Sequence, residues 1–358
     1  MSASLPLTVY GVNQSFFTRK VTGYLDYKQL PWRLRRGIGP AEDVRAGGWD
    51  GGLPAVIDAD GEVIWDSTSL ILHLEHHHPG ARTVLPPDPV HRFLAFVLED
   101  FNDEWLYRPA VGSRWLLPEN TSHGSWDLAR DAAHELPVPV AQIRQVLTGA
   151  MTASLERLGA TPENIDSLID ESLKPWLGAM SAHVGEHGYL FGGRPSLADF
   201  AFYGGNAAHF VNDPLCWGWV DEVGPEVAEH TFRLTEPQDR EFGDWLRSGA
   251  VPDSFVELLR QAGRHYLPWV SVATADGRST IHWESGVSTE IAATNFLTEA
   301  RGVLLARYVE ARSPEIDDVL DAAGILTYFA DHVEQATAVP DPAPLPRPAD
   351  NRPYPAGA

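Results

Sequence analysis

Residues 51–75 read GGLPAVIDADGEVIWDSTSLILHLE. A proline opens a short β-branched run, Ala55 to Asp58, and Ala59-Asp60-Gly61 supplies a tight turn. A second run, Glu62 to Trp65, follows, and then Asp66-Ser67 opens an amphipathic helix over residues 67–78, closed by Pro79-Gly80. Pro54 stands at the mouth of its strand, where a central strand rejects proline unless the preceding peptide is unusual. Asp66 and Ser67 place a carboxylate and a hydroxyl at a helix N-terminus, which suits the charged end of a small ligand.

Upstream, Leu7 to Gly11 is a strand, residues 15–29 (SFFTRKVTGYLDYKQ) carry helical periodicity through Phe17, Val21, Tyr24 and Leu25, and Trp32 to Arg36 alternates as a strand. Residues 37–52 read as a loop with at most one helical turn. The order β-α-β then β-β-α requires a crossover that makes the first pair parallel. This is a thioredoxin-like pattern, assigned to residues 5–80.

The chain has 358 residues, room for two domains, and 44% of them are hydrophobic, enough for a large core. No apolar run reaches the ~18 residues of a membrane span, and the N-terminus lacks the basic start of a signal peptide. A net charge of −22 opposes binding to nucleic acid and to anionic membranes. The lone Cys216 rules out an intrachain disulfide, so the expected setting is cytoplasmic. Lysine occurs only at Lys20, Lys28 and Lys174 while Arg, Ala, Gly and Pro abound, a bias read as that of a high-GC bacterium.

After a linker at 81–89, residues 90–273 read as an all-helical domain: a long helix from Arg92 to Arg108, helical stretches at 136–158 and 162–187, and Ser196 with Asp199 as a capping box ahead of an apolar helix. Ser254 and Glu257 suggest another capping box, starting a helix through Ala273. A helical extension at 278–335 opens with an edge strand or extended arm at 278–284, followed by helices at 291–312 and 314–332, and a Pro-rich tail spans 338–358.

Pro54 after paired-strand spacing, Asp66-Ser67 and the Ser196/Asp199 box, in this order, resemble the glutathione transferase superfamily, of the serine type. The resemblance covers about residues 5–270 and implies an α/β thioredoxin-like domain plus an all-α C-terminal domain; the last 90 residues resemble the extension of longer bacterial homologues. It implies a cis peptide before Pro54, main-chain pairing of Leu53 with the cysteinyl unit of glutathione, and capture of the γ-glutamyl ammonium and carboxylate by Asp66 and Ser67. Arg35, Arg36, Arg45 and Trp49 are candidates for the glycyl carboxylate, and Glu99, Asp100 or Asp103 for the ligand ammonium.

Ser15, at the start of the first helix, is the candidate catalytic residue; Asn13, Gln14, Thr18 and Tyr10 stay open as alternative partners of the sulfur. Lowering a thiol pKa from ~8.5 to ~6.5 takes about 2.7 kcal/mol. A charge-assisted hydrogen bond supplies roughly 1.5–3 kcal/mol and a helix end about 0.3–1 kcal/mol, so no general base is required. A cysteine in place of Ser15 would instead form a mixed disulfide with the thiol. The resemblance places a hydrophobic electrophile between the domains, with Trp105, Tyr107, Arg108 and Trp115 as the pocket wall. It implies glutathione or another low-molecular-weight thiol as co-substrate and a homodimer whose surface the extension blocks or alters. Transferase, isomerase and lyase chemistry, or a non-catalytic binding protein on the same fold, all stay open. His73 and His77 share a helix face, but no Cys/Asp/Glu set accompanies them, so no metal is expected.

Overall fold

A computed structural model describes residues 6–37, 44, 52–58, 61–134, 136–237 and 240–339. Its N-terminal layer is a four-stranded sheet in the order β2-β1-β3-β4, formed by β1 (Leu7–Gly11), β2 (Trp32–Arg36), β3 (Ala55–Ile57) and β4 (Val63–Trp65). β1 runs parallel to β2, with Leu7 opposite Trp32, and antiparallel to β3, with Tyr10 opposite Ala55; β3 and β4 form the antiparallel pair read from the sequence. Helix α1 (Phe16–Lys28) crosses between β1 and β2. It ends where Gln29 takes a left-handed conformation and Leu30 N–H reaches back to the Leu25 carbonyl. Helix α2 (Ser67–His77) follows β4. The layer is therefore the thioredoxin-like α/β domain followed by a mostly helical region. Most of the loop expected at 37–52, and the tail from Pro340 onward, lie outside the described residues.

The helical region starts with α3 (Pro89–Phe101), capped by Asp88, whose carboxylate accepts the His91 N–H. The single helix expected from Arg92 to Arg108 widens into a π turn at Asn102–Leu106 before resuming as α4 (Tyr107–Leu116). Pro109 explains the site of the interruption: it has no N–H for the carbonyl of the preceding turn. Then come α5 (Pro118–Ala132), α6 (Val140–Ser154), α7 (Lys174–His187), α8 (Leu197–Gly205), α9 (Pro214–Val223) and α10 (Pro225–Thr235). The Ser196/Asp199 capping box forms as read: Asp199 accepts the Ser196 N–H at 2.8 Å, and also the Leu190 N–H and the His230 ring.

The last third differs in detail from its sequence reading. α11 (Asp253–Arg264) begins after Pro252, and Ser254 pairs with the His183 ring at 2.8 Å instead of capping the helix. The helix expected through Ala273 breaks at His265 because Pro268 cannot donate to the preceding turn, and it restarts as α12 (Tyr266–Asp276). The expected edge strand pairs locally: β5 (Arg278–His282) and β6 (Ser288–Ala292) make a hairpin. The helix expected from Ile291 starts only at Asn295, where the Thr294 side chain caps α13 (Asn295–Ala311). α14 (Pro314–Ala322) and α15 (Thr327–Ala330) close the fold. Among the described residues no helix is long and apolar enough to cross a membrane.

One buried core runs from α1 through α3, α8 and the extension helices. α1 lies close against α8, and two glycines permit this. A Cβ on Gly204 would meet the Phe16 carbonyl oxygen at 2.5 Å, and one on Gly205 would meet the Phe16 ring at 2.5 Å. Gly204→Ala is expected to push α1 off α8 and to destabilise the chain by roughly 1–3 kcal/mol, read as a lowered denaturant midpoint; an unchanged midpoint would mean the two helices separate freely.

Candidate functional site

The turn from β1 into α1 is held from below by the helical region. Asn13 N–H donates to the Asp131 carboxylate of α5 at 3.1 Å, and the Gln14 carbonyl accepts from Arg114 of α4 at 2.9 Å. Arg114 is itself fixed by two bonds to the buried Asp213, each 2.9 Å. Ser15 caps α1, its hydroxyl oxygen accepting the Thr18 N–H at 3.2 Å. The half-buried Ser15 hydroxyl donates its proton to no described residue, so it can turn outward to a ligand while still capping. Of the other candidates for that role, Tyr10 is fully buried with Val44, Ala55 and Val63, and Thr18 is fully buried.

Beside this turn the Leu53–Pro54 peptide is cis. Asp66 is the N-cap of α2, accepting the Ser69 N–H at 2.9 Å, and its backbone has φ 68°. A non-glycine residue held there stores about 1–3 kcal/mol of strain, a feature of ligand clamps. Asp66 and Ser67 are 7% and 5% exposed and border a cavity of about 90 Å³, several times the ~10–15 Å³ that one water needs. Phe17 of α1, the first turn of α2, the α3–α4 junction and one face of α13 line it. Of the candidates for a glycyl carboxylate, Arg36 pairs with Asp131 at 3.3 Å and Arg35 lies over the Tyr10 ring; Arg45 and Trp49 lie outside the described residues.

Beneath the cavity is a group the sequence reading missed. The fully buried Lys20 ammonium is 2.5 Å from both Glu99 and Asp103 and donates to the Thr68 hydroxyl at 3.1 Å, while that hydroxyl donates to Glu99. Burial alone would lower the Lys20 pKa; the charges and hydrogen bonds of Asp103 and Glu99 outweigh it and raise the pKa. Two carboxylates against one ammonium leave an excess negative charge. Burial, with Glu99 adding to it, pushes the Asp103 carboxyl well above its ordinary range. Glu99 and Asp103, read as open to a ligand, thus already share an internal cation, and Asp100 accepts the Tyr266 hydroxyl. A signal was available: one of three lysines falls on the α1 face of Phe16, Tyr24 and Tyr27.

The residues proposed as an electrophile wall divide. Trp105 is 1% exposed, donates to Ser172 at 2.7 Å and is surrounded by His265, Trp269 and Trp283. Arg108 stacks 4.4 Å over Trp269, and burial lowers its pKa to about 10. Trp115 is buried. These three therefore do not line the cavity; α12 and the β5–β6 hairpin cover the side expected to be open. Tyr107 is half-buried and packs on Phe17 at 5.2 Å, next to the cavity. Cys216 is buried and its thiol is pushed up to about 12 by burial, which suits an inert position. The His73 and His77 rings stack at 4.1 Å, and among the described residues no group of three His, Cys, Asp or Glu could hold a metal ion.

Residues 9–82 match the family model described as glutathione S-transferase, N-terminal domain. No curated protein matches the chain. Among solved structures, a glutathione S-transferase of Methylobacterium radiotolerans in complex with glutathione sulfonate is similar at 16% identity and TM-score 0.41, covering 69% of this chain and 100% of its own. The beta-etherase LigF of Sphingobium sp. strain SYK-6 is similar at 17% identity and TM-score 0.46, covering 64% and 95%. The transferase URE2P8 of Phanerochaete chrysosporium with oxidized glutathione gives 12% and 0.41, covering 66% and 92%.

Two measurements probe this site. Lys20→Met leaves two buried carboxylates without their cation and should cost about 3–5 kcal/mol of stability in chemical denaturation; a loss under about 1 kcal/mol would mean that solvent reaches the pair. Asp100 has its pKa raised by burial from 3.8 to about 6. Its contribution to stability is full below about pH 4 and is lost as pH rises through about 6, because the folded state binds the proton more tightly. Asp100→Asn should remove that fall, so the stability gap between variant and wild type shifts toward the variant by about 2–3 kcal/mol from pH 4 to 7. A gap constant with pH would show that folding does not raise the Asp100 pKa.

Proposed function

We propose that the chain, whose residues 9–82 match the glutathione S-transferase N-terminal domain, binds glutathione or a related low-molecular-weight thiol and uses it against a hydrophobic electrophile. The observation that carries this reading is the strained Asp66–Ser67 cap of α2 at the edge of a cavity that Phe17 also lines, two residues after the Ser15 cap of α1. Leu53, in the segment before β3, offers its main chain to the cysteinyl unit as a short antiparallel pairing. Asp66 and Ser67 face the γ-glutamyl end.

Ser15 then donates its hydroxyl proton as a hydrogen bond to the sulfur, and the N-terminus of the thirteen-residue α1 favours the negative charge. The thiol proton passes to solvent. The thiolate forms a bond to the electrophilic carbon, and the leaving group departs with its bonding electrons or, in an addition, the adjacent carbon takes a proton. Tyr107 on Phe17 is the aromatic surface nearest that point. A homodimer is the assembly expected with this function, and light scattering reads it.

A second reading, a binding protein that keeps the thiol site without turnover, is favoured by one observation: Trp105, Arg108 and Trp115 are packed away, which removes most of the proposed electrophile wall. Calorimetric titration with glutathione and an electrophile-conjugation assay separate the two. Binding together with turnover that falls about 10²-fold or more in Ser15→Ala supports the enzyme. Binding without turnover supports the second reading, and no binding at millimolar thiol sinks both.

A further inference from the structure

The turn that leads into α1 is gripped at both of its corners by side chains from the helical region. Ser15 N–H donates to the Val12 carbonyl at 3.1 Å, so residues 12–15 form a β-turn with Asn13 and Gln14 at its corners. The Asn13 N–H meets the Asp131 carboxylate, and the Gln14 carbonyl meets the Arg114 guanidinium. Both partners are charged and each is 2% exposed, so these are charge-assisted bonds in a buried setting. They hold the first and third peptide units of the turn. The third unit, Gln14–Ser15, contains the Ser15 nitrogen and Cα, so Arg114 sets the plane from which the Ser15 side chain departs. The turn does not hold itself through Gln14, whose Oε1 is buried with no partner. Arg114 is well seated for the task. Its Nε and Nη2 fork onto Asp213, Nη2 also donates to the Ala208 carbonyl, and Nη1 reaches Gln14. Its stem passes over Gly124, where a Cβ would stand 2.8 Å from the Arg114 Cδ.

We propose that Arg114 and Asp131 are positioning residues for the thiol: by clamping this turn they hold the Ser15 hydroxyl where it meets the sulfur, and so set the acidity of the bound thiol from the helical region. The assignment rests on the thiol-site reading and extends it to two residues 100 and 118 positions away from the turn they hold. Neither lines the cavity, so both act through the turn backbone. The Ser15 oxygen is occupied on one side by the Thr18 N–H at 3.2 Å, and the direction left for its O–H depends on where the backbone places Cα and Cβ. A displacement of about 1 Å at such a group costs roughly 10²-fold in rate.

The test is a double-mutant cycle in the full chain. Arg114→Lys keeps a cation for the buried Asp213, but one ammonium does not reproduce the fork and the reach to Gln14 together. Asp131→Ala frees the Asn13 N–H without disturbing the Arg114–Asp213 pair. Each variant should bind glutathione within about twofold of wild type, because neither residue belongs to the Asp66–Ser67 cap or to Leu53. Each should lower kcat/KM by about tenfold or more and raise the pKa of the bound thiol, read from thiolate ultraviolet absorbance. In a Ser15→Ala background neither should lower turnover or move the thiol pKa further. Equal fold-losses in both backgrounds, or lost glutathione affinity with the thiol pKa unmoved, mark a merely structural contact and overturn the assignment. Wild-type thiol titration in both variants overturns it as well. That titration needs no electrophile, so it decides the assignment even for a chain that binds the thiol without turnover. Ser15→Ala with thiol pKa and turnover unchanged, or no glutathione binding by wild type, removes the thiol-site reading and this assignment with it, whereas additivity removes the assignment alone.

Discussion

The Lys20 ammonium, closed between Glu99 and Asp103, is the constraint to which the site geometry is tied. It joins α1 of the sheet domain to the start of the helical region, and through Thr68 it reaches the first turn of α2. Ser15 stands at the head of α1 and Asp66 at the head of α2, so one buried cation sets the spacing of both helix ends that face the cavity. A buried ion pair adds little net stability over a well-packed apolar substitute, yet losing one partner costs several kcal/mol. Its effect is therefore on geometry: the two helices hold this arrangement because any other leaves a charge in the core unmatched.

That arrangement needs α1 to come very near α8, and side chains alone would keep them apart. Gly204 and Gly205 bring the α8 backbone against Phe16, one turn before Lys20. The same contact places the Val12–Ser15 turn within reach of Arg114 and Asp131. The helical region thus acts on the start of α1 through the backbone of this turn, by fixing Asn13 and Gln14. Asp199, which accepts from Ser196, Leu190 and His230, fixes the beginning of α8 and hence the level at which those glycines meet α1.

The N-terminal layer was legible because its signals are local. A proline at a strand mouth, a hairpin turn and an Asp-Ser cap each depend on neighbours a few residues away, and β3, β4, α2 and the cis Leu53–Pro54 peptide lie where these signals put them. The Ser196/Asp199 box was legible for the same reason. Ser254 shows the limit: its spacing to Glu257 imitates a cap, but its hydroxyl serves His183, 71 residues away. Trp105 and Arg108 show it more strongly. On their own helices they suit an open aromatic wall, and only the return of Trp269 and Trp283 from the extension seals them. Lys20 belongs with them, since its partners are 79 and 83 residues distant and no local pattern announces them.

The extension therefore has two effects of opposite sign. With α12 and the β5–β6 hairpin it fills the space beside Trp105 that an electrophile would otherwise enter, and with α13 it adds a wall, and a cation, beside Asp66. A chain that only needed more core would gain nothing from placing an arginine in a half-buried position, since desolvation lowers its pKa and works against its charge. Glu99 and Glu310 offset part of that cost, and Phe96 supplies a face for the guanidinium to rest on. What remains uncompensated is the hydrogen-bonding edge, and that edge belongs to a side chain lining the same cavity as Ser67.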